Sequence, residues 1–171
     1  MQKQWNTRIM VEIAVAAALS LILGMLRLYR MPQGGGITLE MVPIFVVTFR
    51  HGFRSGAWVG LIVGLLKLLL DPIVIHPLQL VMDYPLPYAV LGIAGLFAKR
   101  PSLGVATGTA ARFVVHVVAG VAFWGTYAPA GMNPWVYSLG YNLSYLVPNA
   151  ILAVIVIILL QKTPLLDSSS K

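Results

Sequence analysis

The stretch VYSLGYNLSYLVPNAILAVIVIILL, residues 136–160, contains no Asp, Glu, Lys, Arg or His. A helix needs ~20 apolar residues to cross the hydrocarbon of a bilayer, so this run reads as a membrane span. Five more runs of similar character precede it, at 9–28, 38–53, 55–71, 78–97 and 103–126. The second and third are short. Composition agrees: 58% of the 171 residues are hydrophobic and 10% are charged, with a mean hydropathy of +0.84, too little polar residue to coat a soluble globule. The first run follows Lys3 and Arg8 as a signal peptide would, but its apolar core is too long and no small-residue cleavage site follows, so it reads as a helix.

The twelve Lys and Arg against five Asp and Glu give a net charge of +7. In a soluble protein that balance points to nucleic acid. Here the basic residues stand between the apolar runs, where they orient helices, and no nucleic-acid partner is implied. Lys3 and Arg8 precede span 1, RHGFR (50–54) joins spans 2 and 3, KRP (99–101) joins spans 4 and 5, and Lys162 follows span 6; only Arg27 and Arg30 flank the opposite side. The expected fold is therefore an all-α membrane protein, a compact bundle of six transmembrane helices with both termini cytoplasmic, forming one domain over 1–171.

Depth follows from the 1.5 Å rise per residue. Asp83, in span 4, lies about two turns below the outer surface, and His116 lies about 20 Å along span 5, with Gly120 and Trp124 further out. Tyr137, Tyr141 and Asn142 open span 6 at the same outer level. Polar and ionisable groups at membrane depth face a bundle interior, a partner or water, and mark sites. A carboxylate accepts from amino groups, Asn both donates and accepts, and Trp and Tyr faces attract planar cations. His116, Gly120 and Trp124, four apart, share one sector of a helix, and Gly120 leaves room for a flat group. Tyr137 and Asn142, five apart, share a pocket only if Tyr137 lies in the loop after Pro134 or the first turn is irregular.

Each residue also has a plainer reading. Asp83 pairs with Lys67 or caps its helix, His116 packs, Trp124, Tyr127, Trp135 and Tyr137 form an interfacial aromatic belt, Arg112 satisfies polar groups in the inner half, and Asn149 satisfies backbone freed by Pro148. Other chemistry is excluded by what the chain lacks. It has no cysteine, no G-x-x-x-x-G-K-[ST] phosphate loop, and no H-E-x-x-H or G-x-S-x-G element. His51, His76 and His116 fall at different depths on both sides, which argues against a metal centre, and no cofactor is implied. An intramembrane enzyme using Asp83 and His116 as acid and base is the rival reading.

Three runs carry a family resemblance: TLEMVPIFVVTFRHGFRSGAWVGLIVGLLKLLL (38–70), MDYPLPYAVLGIAGLFAKR (82–100) and HVVAGVAFWGTYAPAGMNPWVYSLGYN (116–142). Together they resemble the thiamine-specific S component of energy-coupling factor (ECF) vitamin transporters. The acidic-Tyr pair of span 4, the H-x3-G-x3-W pattern of span 5 and the downstream Tyr and Asn are the most specific part. The resemblance implies a six-helix protein that captures thiamine at the outer side and associates with a transmembrane T component and two cytoplasmic ATPases. A thiamine precursor or another vitamin is the nearest alternative ligand. It also implies that Asp83 hydrogen-bonds the aminopyrimidine with Tyr84 as aromatic neighbour. His116 and Trp124 would flank the rings, Gly120 would line the pocket, and Tyr137 and Asn142 would close it. Asp83 stands where the family usually has Glu, one methylene longer, so the ligand sits closer or a water bridges. The first outer loop reads MPQGGGIT (31–38) where the family has a tryptophan over thiamine; its glycines allow a mobile lid. In EIAVAAALS (12–20), Ala14 and Ala18 form a small-xxx-small face. Packing within the bundle is one use of it, and the resemblance implies contact with the T component.

Overall fold

A computed structural model describes residues 7–166; Lys3, used above as an orientation signal, lies outside them. The chain forms α1 (Thr7–Met25), a short hairpin of β1 (Tyr29–Arg30) and β2 (Gly36–Ile37), α2 (Met41–His51), α3 (Phe53–Leu70), α4 (Pro77–Asp83), α5 (Pro85–Ala89) continued by a 3-10 helix Val90–Phe97, α6 (Pro101–Phe123) and α7 (Pro134–Leu160). Helices α4, α5, α6 and α7 each open on a proline, where the missing N–H costs no intrahelical bond. Among the described residues, five segments are long and apolar enough to cross a membrane: Thr7–Met25, Phe53–Leu70, Pro77–Phe97, Pro101–Phe123 and Pro134–Leu160.

The second run behaves differently from the span expected over 38–53. Helix α2 is only 11 residues, about 17 Å at 1.5 Å per residue, against ~30 Å of hydrocarbon. It needs no more, because it touches little lipid: Met41, Val42, Pro43, Ile44, Phe45, Val47, Thr48 and Phe49 are all buried. It runs down the centre of the bundle beside α1, from Glu40 against Gly24 to His51 against Glu12. Gly52, at φ +87°, then turns the chain into α3 in a conformation that favours glycine.

The fourth span is also not the single helix expected over 78–97. Pro85 cannot supply an N–H, so α4 stops at Asp83 and Tyr84 (φ −114°, ψ −84°) links it to α5. This kinked segment lies close on α3. A Cβ on Gly60 would come within 2.0 Å of the Tyr88 carbonyl oxygen, and one on Gly64 within 2.4 Å of that of Tyr84. Glycine at both places lets backbone meet backbone.

Alternating passes bring both ends of the described chain together. Arg50 bonds Glu12 near the start of α1 and the carbonyl of Leu165 beyond α7. Arg8, Arg54, Lys99, Arg100 and Lys162 sit at this same end, which the positive-inside rule makes cytoplasmic. On α1, Ile13, Ala16, Ala17, Ser20 and Gly24 are buried, whereas Ala14 and Ala18 are exposed. The small-residue face therefore points out of the bundle, and packing within it is not its use.

At the outer end the β1–β2 hairpin turns at Gly34, φ +94°. Asn149 holds it: its Oδ1 accepts from Thr38 N–H at 2.8 Å and its Nδ2 donates to the Gly36 carbonyl at 2.9 Å. Asn149 thus serves a different chain segment from the Pro148 backbone expected above, because the hairpin end, with Thr38 buried and Gly36 partly so, offers backbone groups that need partners. Asn149→Ala is expected to lower stability by about 1–2 kcal/mol, through two lost bonds and a buried unpaired N–H, read as a lower melting temperature of the purified protein.

Candidate substrate-binding site

One cavity of about 150 Å³ lies beneath the hairpin in the outer half of the bundle, room for a small organic molecule rather than a lone ion. The structure brings all seven predicted residues to it: Asp83, Tyr84, His116, Gly120, Trp124, Tyr137 and Asn142.

Asp83, the last residue of α4, is not paired with Lys67 as the plainer reading has it. Its Oδ2 accepts from Gln79 Nε2 at 2.7 Å and from Trp124 Nε1 at 3.0 Å. Its Oδ1 faces His116 Nδ1 across 4.0 Å. Lys67 instead bonds Glu40 Oε2 at 2.5 Å and Tyr88 OH at 2.6 Å. Arg112 Nη2 takes the other Glu40 oxygen at 2.9 Å, and its guanidinium lies 4.1 Å over the Tyr88 ring. Glu40 is thus doubly compensated, whereas no lysine or arginine pairs with Asp83 among the described residues.

Arg112 also fixes His116. Its Nε–H donates to His116 Nε2 at 3.3 Å; an arginine only donates, so Nε2 carries no proton and the ring proton is on Nδ1, toward Asp83 Oδ1. The floor of the cavity therefore presents a free carboxylate oxygen beside an N–H donor. Such a pair reads the edge of a heterocycle that offers an amino group next to a ring nitrogen.

Trp124 caps α6 just after its last residue, and its bond to Asp83 removes it from the aromatic belt; Tyr127 and Trp135, both about half exposed, suit that role. Gly120 lines the cavity, but the room left by its missing Cβ is filled by Ser138 Oγ, 2.1 Å from where a Cβ would stand. The flat approach expected at Gly120 is closed by α7. Asn142 is engaged within α7: its Nδ2 donates to the Ser138 carbonyl at 2.9 Å and its Oδ1 accepts from Tyr145 OH at 2.8 Å. Tyr84 OH accepts from Ile73 N–H at 2.7 Å and donates to the Asp71 carbonyl at 3.3 Å, bracing the loop between α3 and α4.

Tyr137 and Asn142 share the cavity without the irregularity thought necessary. Helix α7 is regular from Pro134, and Tyr137 N–H bonds the Asn133 carbonyl. Tyr137, Ser138, Tyr141, Asn142 and Tyr145 all line the cavity, a stripe two side chains wide that admits residues five apart. The sequence reading missed Glu40, Tyr88 and Tyr145. Glu40 carried a signal, an acid at the head of an apolar run.

The profile of the family Thiamine transporter protein (Thia_YuaJ) matches residues 10–166. The chain belongs to this thiamine transporter family. It is 35% identical to the thiamine transporter ThiT of Bacillus subtilis (strain 168), over 95% of each chain. With ThiT of Lacticaseibacillus paracasei it shares 32% identity, over 92% of this chain and 88% of that one. A solved structure of ThiT from Listeria monocytogenes superposes with a TM-score of 0.85 at 29% identity, covering 94% of this chain and 98% of that one. A thiamine transporter family member is a transport protein, not an enzyme. With its spanning segments it is a multi-pass protein of the cell membrane.

Proposed function

We propose that this chain is the high-affinity thiamine-binding S component of an ECF vitamin importer, capturing its ligand from the outer side. The observation that carries the reading is the uncompensated Asp83 carboxylate, with its free Oδ1 beside a histidine N–H in a cavity where Glu40 is fully paired. A cationic molecule with an aminopyrimidine edge satisfies both features: the amino group donates to Asp83 and the ring nitrogen accepts from His116. His116 and Trp124 flank the rings, Tyr84 is the aromatic neighbour of the acid, and Gly120, Tyr137 and Asn142 bound the pocket on the α6–α7 side. The Gly-rich turn at 34–36 is the cover. Energy comes from a T component and two cytoplasmic ATPases.

Calorimetry of the purified chain with thiamine, beside mass spectrometry of any copurified small molecule, tests the ligand. No binding to thiamine and a different vitamin or a precursor in the preparation would replace it. Tryptophan fluorescence is expected to fall on binding, because Trp124 lies against a flat cation. Trp124→Ala is expected to remove most of that quench. An unchanged quench and affinity would move the site away from Trp124.

A further inference from the structure

We infer that Gln79, which does not line the cavity, is a positioning residue for substrate recognition: it holds Asp83 so that Oδ1 is the oxygen offered to the ligand. The inference rests on the reading that Asp83 accepts a hydrogen bond from thiamine.

Gln79 is 0% exposed, and every polar function of its side chain is used. Oε1 accepts from Ile75 N–H at 3.1 Å. A backbone N–H only donates, so this bond fixes which end of the amide is oxygen. Nε2 is thereby turned the other way, with one hydrogen on the Ile73 carbonyl at 3.1 Å and the other on Asp83 Oδ2 at 2.7 Å. Gln79 and Asp83 are four apart on α4, so the contact falls along one helix face.

The consequence is a divided carboxylate. Oδ2 is occupied by Gln79 and by Trp124 Nε1, leaving Oδ1 for the cavity. Without Gln79, a single bond from Trp124 would hold Asp83, and the carboxylate could turn about χ2, which is a broad, two-fold torsion. The same amide ties Asp83 to Ile73, whose side chain is 3.6 Å from the position of a Cβ on Gly34. Acceptor geometry therefore hangs on Gln79, which shares the bracing of the loop against the hairpin with Tyr84.

A residue that only braced the loop would weaken binding whatever stands at 83. The test is a double-variant cycle on the full-length protein, with thiamine affinity measured by calorimetry for wild type, Gln79→Met, Asp83→Asn and the pair. Gln79→Met keeps the volume and removes both amide functions. It is expected to cost on the order of tenfold in affinity by itself, and less than about threefold once Asp83 is already Asn, because the two residues act as one unit. Discrimination between thiamine and its analogue with an oxo group in place of the amino group is expected to shrink in Gln79→Met, since that choice is read at Asp83. Equal loss for both ligands, or losses that multiply across the cycle, would overturn the inference. Gln79→Glu, which keeps length and the acceptor for Ile75 but sets an oxygen against Asp83, repeats the cycle should the Met variant fail to fold. If neither folds, Gln79 is a packing residue and the inference fails. Wild type that does not bind thiamine removes the underlying ligand reading instead, a result visible before any variant is made.

Discussion

Asp83→Asn is expected to weaken thiamine binding on the order of a hundredfold, or ~2–3 kcal/mol. The substitution keeps the shape and replaces one acceptor by an NH2 donor. Both places for that donor are bad. On the Oδ2 side it meets the Nε2 of Gln79 and the Nε1 of Trp124, at 2.7 and 3.0 Å, two groups that only donate. On the Oδ1 side it would meet the amino group of the proposed ligand and the Nδ1–H of His116. The variant also removes the carboxylate that answers a cationic ring. Asp83→Glu retains the acceptor and is the milder change. A folded Asn variant that binds thiamine within threefold of wild type in calorimetry would leave Asp83 as an internal tie between α4 and α6 and remove it from recognition.

The second large effect separates capture from coupling. Ala14→Trp combined with Ala18→Trp is expected to abolish thiamine uptake in cells supplying the T component and ATPases, while the isolated protein keeps its thiamine affinity. Both alanines are exposed on α1, away from the buried face of Ile13, Ala16 and Ala17, and neither lines the cavity. Two indoles there meet lipid in the free subunit, at no packing cost, but they hold off any helix that approaches on small residues. Uptake that survives the double substitution, or binding lost along with uptake, would sink the assignment of this face to partner contact.

The bundle was legible because a bilayer leaves so few solutions: long apolar runs become helices, and basic loops set their direction. Departures occurred where protein replaces lipid as the surroundings. α2 is shorter than its run because the other helices shield it, a condition no local pattern encodes. The break at Tyr84 was signalled by Pro85 and Pro87, yet its depth depends on Gly60 and Gly64 of another helix. In the candidate site, Asp83, His116 and Trp124 stood out as polar or aromatic residues at one depth. Glu40 stood out only as an acid at the head of an apolar run, and its role was hidden because its partners Lys67 and Arg112 are distant in sequence. Asn149 was misread for a similar reason: its partners at Gly36 and Thr38 are over a hundred residues away.

The buried cluster around Glu40 also bears on how the protein is made. Lys67 follows Glu40 by 27 residues and Arg112 by 72, so the growing chain acquires its charges in the order acid, base, base. When α3 has entered the bilayer, Glu40 and Lys67 form a neutral pair, and the short α2 can be inserted with α3 as one hairpin. Arg112 then arrives on α6 into a membrane where a lone guanidinium is costly. The second oxygen of Glu40 and the face of Tyr88 are already in place to receive it. One carboxylate thus meets two cations, so the cluster keeps a net positive charge and is complete only when the fifth pass brings Arg112 to it.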